Sequence, residues 1–172
     1  MLETWALMRD FGPAALFAFD PIEEPPADLI AHIVTRYHDV HRREFPEAIR
    51  LAGLVEAVYA KESIGASGVG DHLAMMFDEL EAHQRREEQV LFPAMLKGGC
   101  AAIRIPLRRM MSEHDDVEGQ LDTLRAMAGD YATPYGAGPS WVRLVQLCRK
   151  LDRDLREHMR IENEELFPQF LD

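Results

Sequence analysis

The sequence predicts an all-α fold, an antiparallel four-helix bundle with an N-terminal arm, on three observations. Four stretches carry apolar residues at alternating steps of three and four, the spacing of one helix face. No segment shows the two-residue alternation of a strand. The second half of the chain repeats key words of the first, the mark of a duplicated helix-pair unit.

Residues 1–25 are expected to form an arm or short helix covering the bundle. Trp5, Leu7, Phe11, Leu16, Phe17 and Phe19 give it apolar surface, and Pro21, Pro25 and Pro26 end regular structure. Residues 26–172 are expected to form the bundle. A first helix starts near Pro26, since proline is welcome in a first turn. Its stripe is Ala31, Val34, His38, His41 and Phe45; Pro46 is expected to kink or interrupt it, with Ile49, Ala52, Val55 and Tyr59 on a second piece. Gly65, Gly68 and Gly70 mark a turn. The second helix spans roughly 70–97, bent by Pro93 and ended by Gly98 and Gly99. Its stripe runs Leu73, Met76, Leu80, then His83 and Glu87, then Val90 and Ala94. A third covers about 104–128 through Leu107, Met110, His114, Val117, Leu121 and Leu124. After a connector rich in glycine and proline, Ser140 is a fair N-cap for the fourth. Leu144, Cys148, Leu151, Leu155, His158, Glu162 and Leu166 form its seam.

Composition excludes several roles. A chain of 172 residues, 47% hydrophobic and 28% charged, has the make-up of one soluble globular domain. Its net charge of -11 argues against nucleic acid and anionic membrane as partners. The apolar run from Phe11 to Phe19 contains Pro13 and is too short to span a bilayer. Cys100 and Cys148 form no C-x2-C pair, which suits a reducing, cytoplasmic compartment.

The polar residues within the apolar stripes carry the functional argument. His83-x3-Glu87 and His158-x3-Glu162 are the same motif 75 residues apart, each followed by Leu-Phe-Pro. Each is also preceded by a His-Asp pair, His38-Asp39 and His114-Asp115. Measured from one end of the bundle, all six residues lie about 9 to 14 residues along their helices, one slab near 15 Å deep at ~1.5 Å per residue. A lone core histidine is more often a hydrogen-bonded packing residue than a ligand. Six ligand-type residues on four seams at one depth reverse that judgement. Buried carboxylates need compensation, and six ligands exceed the closed four-coordinate site of structural zinc. Two ions bridged by carboxylates fit better, with iron, manganese and zinc all compatible with imidazole and carboxylate.

The ordered pattern His38, His83-x3-Glu87, His114, His158-x3-Glu162 resembles that of the bacterial hemerythrin-like HHE proteins. Within these it is most similar to the repair-of-iron-centres proteins. Further words strengthen the match: Arg-Tyr-His-Asp at 36–39, Glu-Glu-Gln-Val-Leu-Phe-Pro at 87–93, Glu-His-Asp at 113–115 and Glu-Leu-Phe-Pro at 165–168. The resemblance covers roughly residues 26–170. It implies a non-haem di-iron centre, oxo- and carboxylate-bridged, with Glu87 and Glu162 as bridges and the four histidines as terminal ligands. It implies a role in nitrosative or oxidative stress, with NO, O2 or peroxide as ligands and iron-sulfur proteins as partners. Two departures stand out. Members of that family carry an N-terminal domain with a cysteine pair, whereas residues 1–25 contain no cysteine, so chemistry needing those thiols is not expected of them. Relatives can also place a histidine where this chain has Tyr59. At about 31 Å beyond His38 along a continuous helix, Tyr59 is expected to pack at the far end rather than reach the metal.

Glu113, beside His114, is a candidate to orient a ligand or relay protons from outside the ligand shell. Glu88 is expected to face away from the seam, and His41 to line an access path. His32 and His72 are read as ordinary residues. The methionine pairs Met75-Met76 and Met110-Met111 are read as core filling. Three functions remain distinct at this point. One is a di-iron oxidoreductase or cluster-repair factor, the second a reversible O2 or NO binding module without turnover, and the third an inert bundle with a satisfied polar layer. Iron analysis separates the third, and turnover of NO or peroxide with an electron donor separates the first two.

Overall fold

The computed structural model describes residues 25–60, 68–99 and 101–171, so the expected arm at 1–25 lies almost wholly outside the described residues. Four helical rods follow, and no strand occurs among the described residues. Rod α1 joins Pro26–His32, a wider π turn over Ile33–His38, and Asp39–Tyr59. Rod α2 joins Val69–Arg86, a π turn over Glu87–Leu91, and Phe92–Leu96. Rod α3 is Arg104–Met127, entered through a tight turn over Ala101–Ile103. Rod α4 joins Pro139–Arg160, a π turn over Ile161–Leu166 and a last tight turn over Phe167–Phe170. Each of α1 and α3 packs on both α2 and α4, the ring expected of an antiparallel bundle.

The π turns account for where the observed stripes leave the predicted ones. A turn closed by i→i+5 bonds takes in an extra residue and shifts the helical phase. Beyond Glu87 the buried positions are therefore Leu91, Phe92 and Met95, whereas Val90 is 65% exposed. In α1, Leu29, Ile30, Ile33 and Tyr37 are buried in place of Ala31, which is exposed. Pro93 and Pro168 each follow such a turn, and the carbonyls their rings would strike, on Gln89 and Glu164, lie inside it.

Of the two outcomes expected at Pro46, a kink or an interruption, the interruption does not occur: Asp39–Tyr59 is one α-helix with the proline inside it. Pro46 sits on the exposed face, where water can satisfy the carbonyl left unpaired on Arg42, while Phe45 and Ala48 beside it are wholly buried. Ser140 is not the N-cap of α4 either. Gly138 holds that position and Pro139 begins the helix, its fixed φ and missing N–H suiting the first turn. Gly99 at the end of α2 has φ +64°, and a Cβ there would come within 2.8 Å of the Phe170 ring, so only glycine fits.

Two apolar clusters fill the bundle. One, from Phe45 and Leu73 to Leu124 and Leu151, occupies the half where α1 ends and α4 begins. The other, from Leu29 and Ile33 to Leu107 and Phe167, fills the opposite half. Met76 and Met110 are core residues as expected, but Met75 is exposed. Tyr59 lies in the first half: its ring meets Trp141 edge-on at 4.5 Å, and its hydroxyl accepts the Gly138 N–H at 2.9 Å. Between the clusters lies a buried polar layer of His38, His41, His83, Gln84, Glu87, His114, His158 and Glu162. No helix among the described residues is long and apolar enough to cross a membrane.

Candidate metal centre

Three of the four rods change pitch at the polar layer. The π turn of α1 ends at His38, that of α2 begins at Glu87, and that of α4 contains Glu162. π turns occur preferentially where side chains are aimed at a functional site. Each i, i+4 pair then meets within one helix face: His83 Nε2 is 3.0 Å from Glu87 Oε1, and His158 Nε2 is 3.2 Å from Glu162 Oε1. Across the bundle, His38 Nε2 lies 3.5 Å from Glu87 Oε2 and His114 Nε2 3.2 Å from Glu162 Oε2.

All six predicted residues thus converge, and they sort into two groups. His38, His158, Glu87 and Glu162 form one; His83, His114, Glu87 and Glu162 form the other. Within each group the candidate ligand atoms lie within 4.8 Å of one another, and both glutamates belong to both groups. The Nε2 atoms of His38 and His158 are 3.1 Å apart, those of His83 and His114 3.2 Å. Two nitrogens bound at right angles to one ion, each at ~2.1 Å, would be ~3 Å apart. Neither glutamate exposes any surface, and none of their four carboxylate oxygens has a hydrogen-bond partner of normal geometry. Buried carboxylates without donors, facing imidazole nitrogens from four helices, fit cations better than they fit a closed hydrogen-bond network.

Electrostatics follow from that crowding. Burial and the Glu162 carboxylate push Glu87 above the usual carboxylate range. Burial also opposes an ionised Glu162, but His158 and His114 outweigh it and hold its pKa well below that range. Burial works against a charged His83 too, yet Glu87 and Glu113 beside it raise the ring to about 9. His38 goes the other way: burial and then the neighbouring His158 lower it to about 2. A neutral His38 donates Nδ1–H to Glu88 and leaves its Nε2 lone pair pointing into the layer.

The far nitrogens are held by groups just outside the layer. Glu113 Oε2 accepts from His83 Nδ1 at 2.8 Å and from Arg86, while Arg109 holds its Oε1. Glu88 was expected to face away from the seam, and here the structure corrects the sequence. Its Oε1 lies 2.7 Å from His38 Nδ1, because the π turn swings it toward α1, where Arg42 pairs with it at 2.9 Å. Asn163 Oδ1 accepts from His114 Nδ1 at 2.8 Å and was not anticipated. The duplication held the signal, since Glu88 and Asn163 each directly follow a repeated glutamate. The repeated Leu-Phe-Pro words are explained as well: Phe92 stacks on His38 and Phe167 on His114, each at 5.9 Å.

His41 lines no access path: it is fully buried beside Tyr37, Phe45 and His158. A cleft of about 330 Å³ reaches the layer on another side, bordered by Glu79, His83, Arg86, Glu113 and Val117. His72 is ordinary, its Nε2 bonding to the Gln120 carbonyl at 2.9 Å, and exposed His32 meets only the edge of Tyr37.

Residues 29–170 match the model of the hemerythrin HHE cation binding domain. The chain belongs to the hemerythrin HHE family. Among curated relatives it is similar to the iron-sulfur cluster repair protein YtfE of Dickeya chrysanthemi (strain Ech1591). The identity is 36% over 144 residues, covering 84% of this chain and 65% of that protein. The YtfE proteins of Citrobacter koseri and Escherichia coli O1:K1 are likewise 36% identical over 162 residues, covering 91% of this chain and 74% of theirs. This hemerythrin-like domain therefore carries the family's cation-binding architecture, and its relatives are iron-sulfur cluster repair proteins, in agreement with the resemblance read from the motifs.

Proposed function

We propose that this hemerythrin-like chain holds two iron ions and protects or repairs iron-sulfur centres under nitrosative or oxidative stress, binding NO, O2 or peroxide at the pair. The observation that carries this reading is the sharing of Glu87 and Glu162 between two four-residue groups inside one buried layer. His38 and His158 would hold one ion and His83 and His114 the other, with the two carboxylates between them. Iron in such a site supplies electrons to a bound small molecule, or is itself the cargo given to a damaged cluster. The protein's own contribution is placement and exclusion. Glu88, Glu113 and Asn163 fix ring orientation, Phe92 and Phe167 shield two of the rings, and the apolar clusters keep bulk water away. The cleft beside His83, about 330 Å³ in volume, is the side from which a small ligand would approach the layer. A cytoplasmic setting suits this role, with iron-sulfur proteins as clients and Cys148 as a buried free thiol.

The test is anaerobic reconstitution with ferrous iron, followed by NO titration and by incubation with an iron-sulfur enzyme whose cluster has been damaged. About two irons per chain are expected from a bridged pair, together with recovery of the damaged enzyme. One ion per chain, or none, would sink the di-iron reading. NO binding without turnover or repair would instead favour the reversible binding module.

A further inference from the structure

The duplication allows the two halves of the polar layer to be compared residue by residue, and one position breaks the correspondence. His38 pairs with His114, His83 with His158, Glu88 with Asn163 and Phe92 with Phe167. Three of the four histidines have a polar partner on Nδ1: Glu88 for His38, Glu113 for His83 and Asn163 for His114. His158 does not. The residue matching Glu113 is Tyr37, and its ring lies flat on His158 at 5.5 Å with 10° between the planes. A stacked ring offers its face to the imidazole, and an in-plane N–H cannot donate to it.

A second break in symmetry sits beside the first. His41, one turn along α1, corresponds to Val117 on α3, and Gln84 on α2 corresponds to Met159 on α4. One half thus holds a buried polar pair where the other holds an apolar pair. His41 is fully buried and Gln84 1% exposed, and the Gln84 amide nitrogen donates to His41 Nδ1 at 3.0 Å. Burying such a pair is costly unless every polar atom is used. His41 Nε2 has no partner, nor has His158 Nδ1, and the two rings are 5.7 Å apart at 45°. The histidine left without a partner, on α4, therefore lies beside a spare imidazole supplied by α1 of the other repeat.

We propose that His41, held by Gln84, is the positioning residue for His158. The inference rests on the reading of His158 as a metal ligand. When Nε2 of His158 faces a metal ion, its proton must sit on Nδ1. His158 Nδ1–H then donates to His41 Nε2, directly after a small ring rotation or through one water. In the direct arrangement His41 Nδ1–H donates to the Gln84 amide oxygen, which a half-turn of that amide brings into place. Each metal position is then matched: His38 and His83 are backed by carboxylates, His158 and His114 by neutral groups.

The test uses the full chain with two substitutions made together, His41→Val and Gln84→Met, which copy the apolar pair of the other half and preserve packing. His41→Gln is the conservative companion. The ferrous-loaded proteins are mixed with a chromophoric chelator and the two ions followed as they leave. Loss of such an outer partner typically weakens metal binding by roughly 10–100-fold. One ion per chain should therefore leave faster by about that factor, the other at the wild-type rate, with His41→Gln in between. In the zinc-loaded protein, the long-range proton–nitrogen NMR signal of His158 Nδ1–H should be protected in the wild type and lost in the double variant. A folded double variant with both release rates and this signal unchanged would overturn the proposal, as would equal acceleration of both ions. A wild-type chain that takes up no metal overturns the di-iron reading itself, an outcome told apart because no variant is needed to see it.

Discussion

The metal-free protein should lose stability as the solution becomes alkaline, and the size of the loss follows from His83. Glu87 at 3.0 Å and Glu113 at 2.8 Å hold its imidazolium against the cost of burial, raising the ring from 6.5 to about 9. A group whose folded pKa lies above its unfolded value contributes stability that is complete below the unfolded value and disappears as pH rises through the folded one. The window is therefore pH 6.5 to about 9. At ~1.4 kcal/mol per unit, the loss is about 3 kcal/mol, a large share of the ~5–15 kcal/mol that holds a typical domain together. His114, also raised, adds in the same direction. Urea denaturation of chelator-treated protein between pH 6 and 9.5 measures the effect below the titration of lysine and tyrosine. His83→Gln should remove most of the decline. Zinc loading should do the same, since a ring bound through Nε2 has no proton to lose there. A flat or rising profile for the metal-free wild type would refute the electrostatic account, and so would a His83→Gln profile that falls as steeply.

Other consequences are as open to measurement. Glu87→Gln removes a carboxylate shared by both groups and should cut iron below one ion per chain. Glu88→Gln should keep both ions but weaken binding by roughly 10–100-fold, and exposed Glu164→Gln should leave both iron content and affinity unchanged; competition with a chelator ranks the three, and equal losses for Glu87 and Glu88 would contradict the assignment. Tyr59→Phe should leave iron content and the visible spectrum of the oxidised protein unchanged. It should lower thermal stability by the ~1 kcal/mol of one hydrogen bond, the one accepted from Gly138; a bleached band would put Tyr59 at the metal. Cys148, with its thiol pushed up to about 12 by burial, should resist alkylation at pH 8 in the native protein. Mass mapping that finds it modified would show the core opening there.

Helix existence, order and the buried histidine–glutamate layer were legible because side-chain period and the duplicated motif are local facts of the chain. What escaped was helical phase. A stripe extrapolated at about 100° per residue carries Val90 inward and Glu88 outward. In a turn closed by i→i+5 bonds each residue advances only roughly 80°, so Leu91 takes the core and Glu88 comes round to His38. Propensity does not announce a π turn, but the repeated words do once their parts are given work. In Glu-Glu-Gln-Val-Leu-Phe-Pro and Glu-Asn-Glu-Glu-Leu-Phe-Pro, the first residue enters the layer and the second reaches a histidine on the preceding rod. The phenylalanine covers that same histidine, and the proline cannot continue an ordinary α-helical ladder. Pro46 lacks any such word around it, and there the α-helix runs on unbroken. Proline alone therefore does not produce the wider turn. Proline six residues after a buried glutamate accompanies it twice, at the level where side chains from four helices have to meet, and the π turn of α1 forms with no such proline.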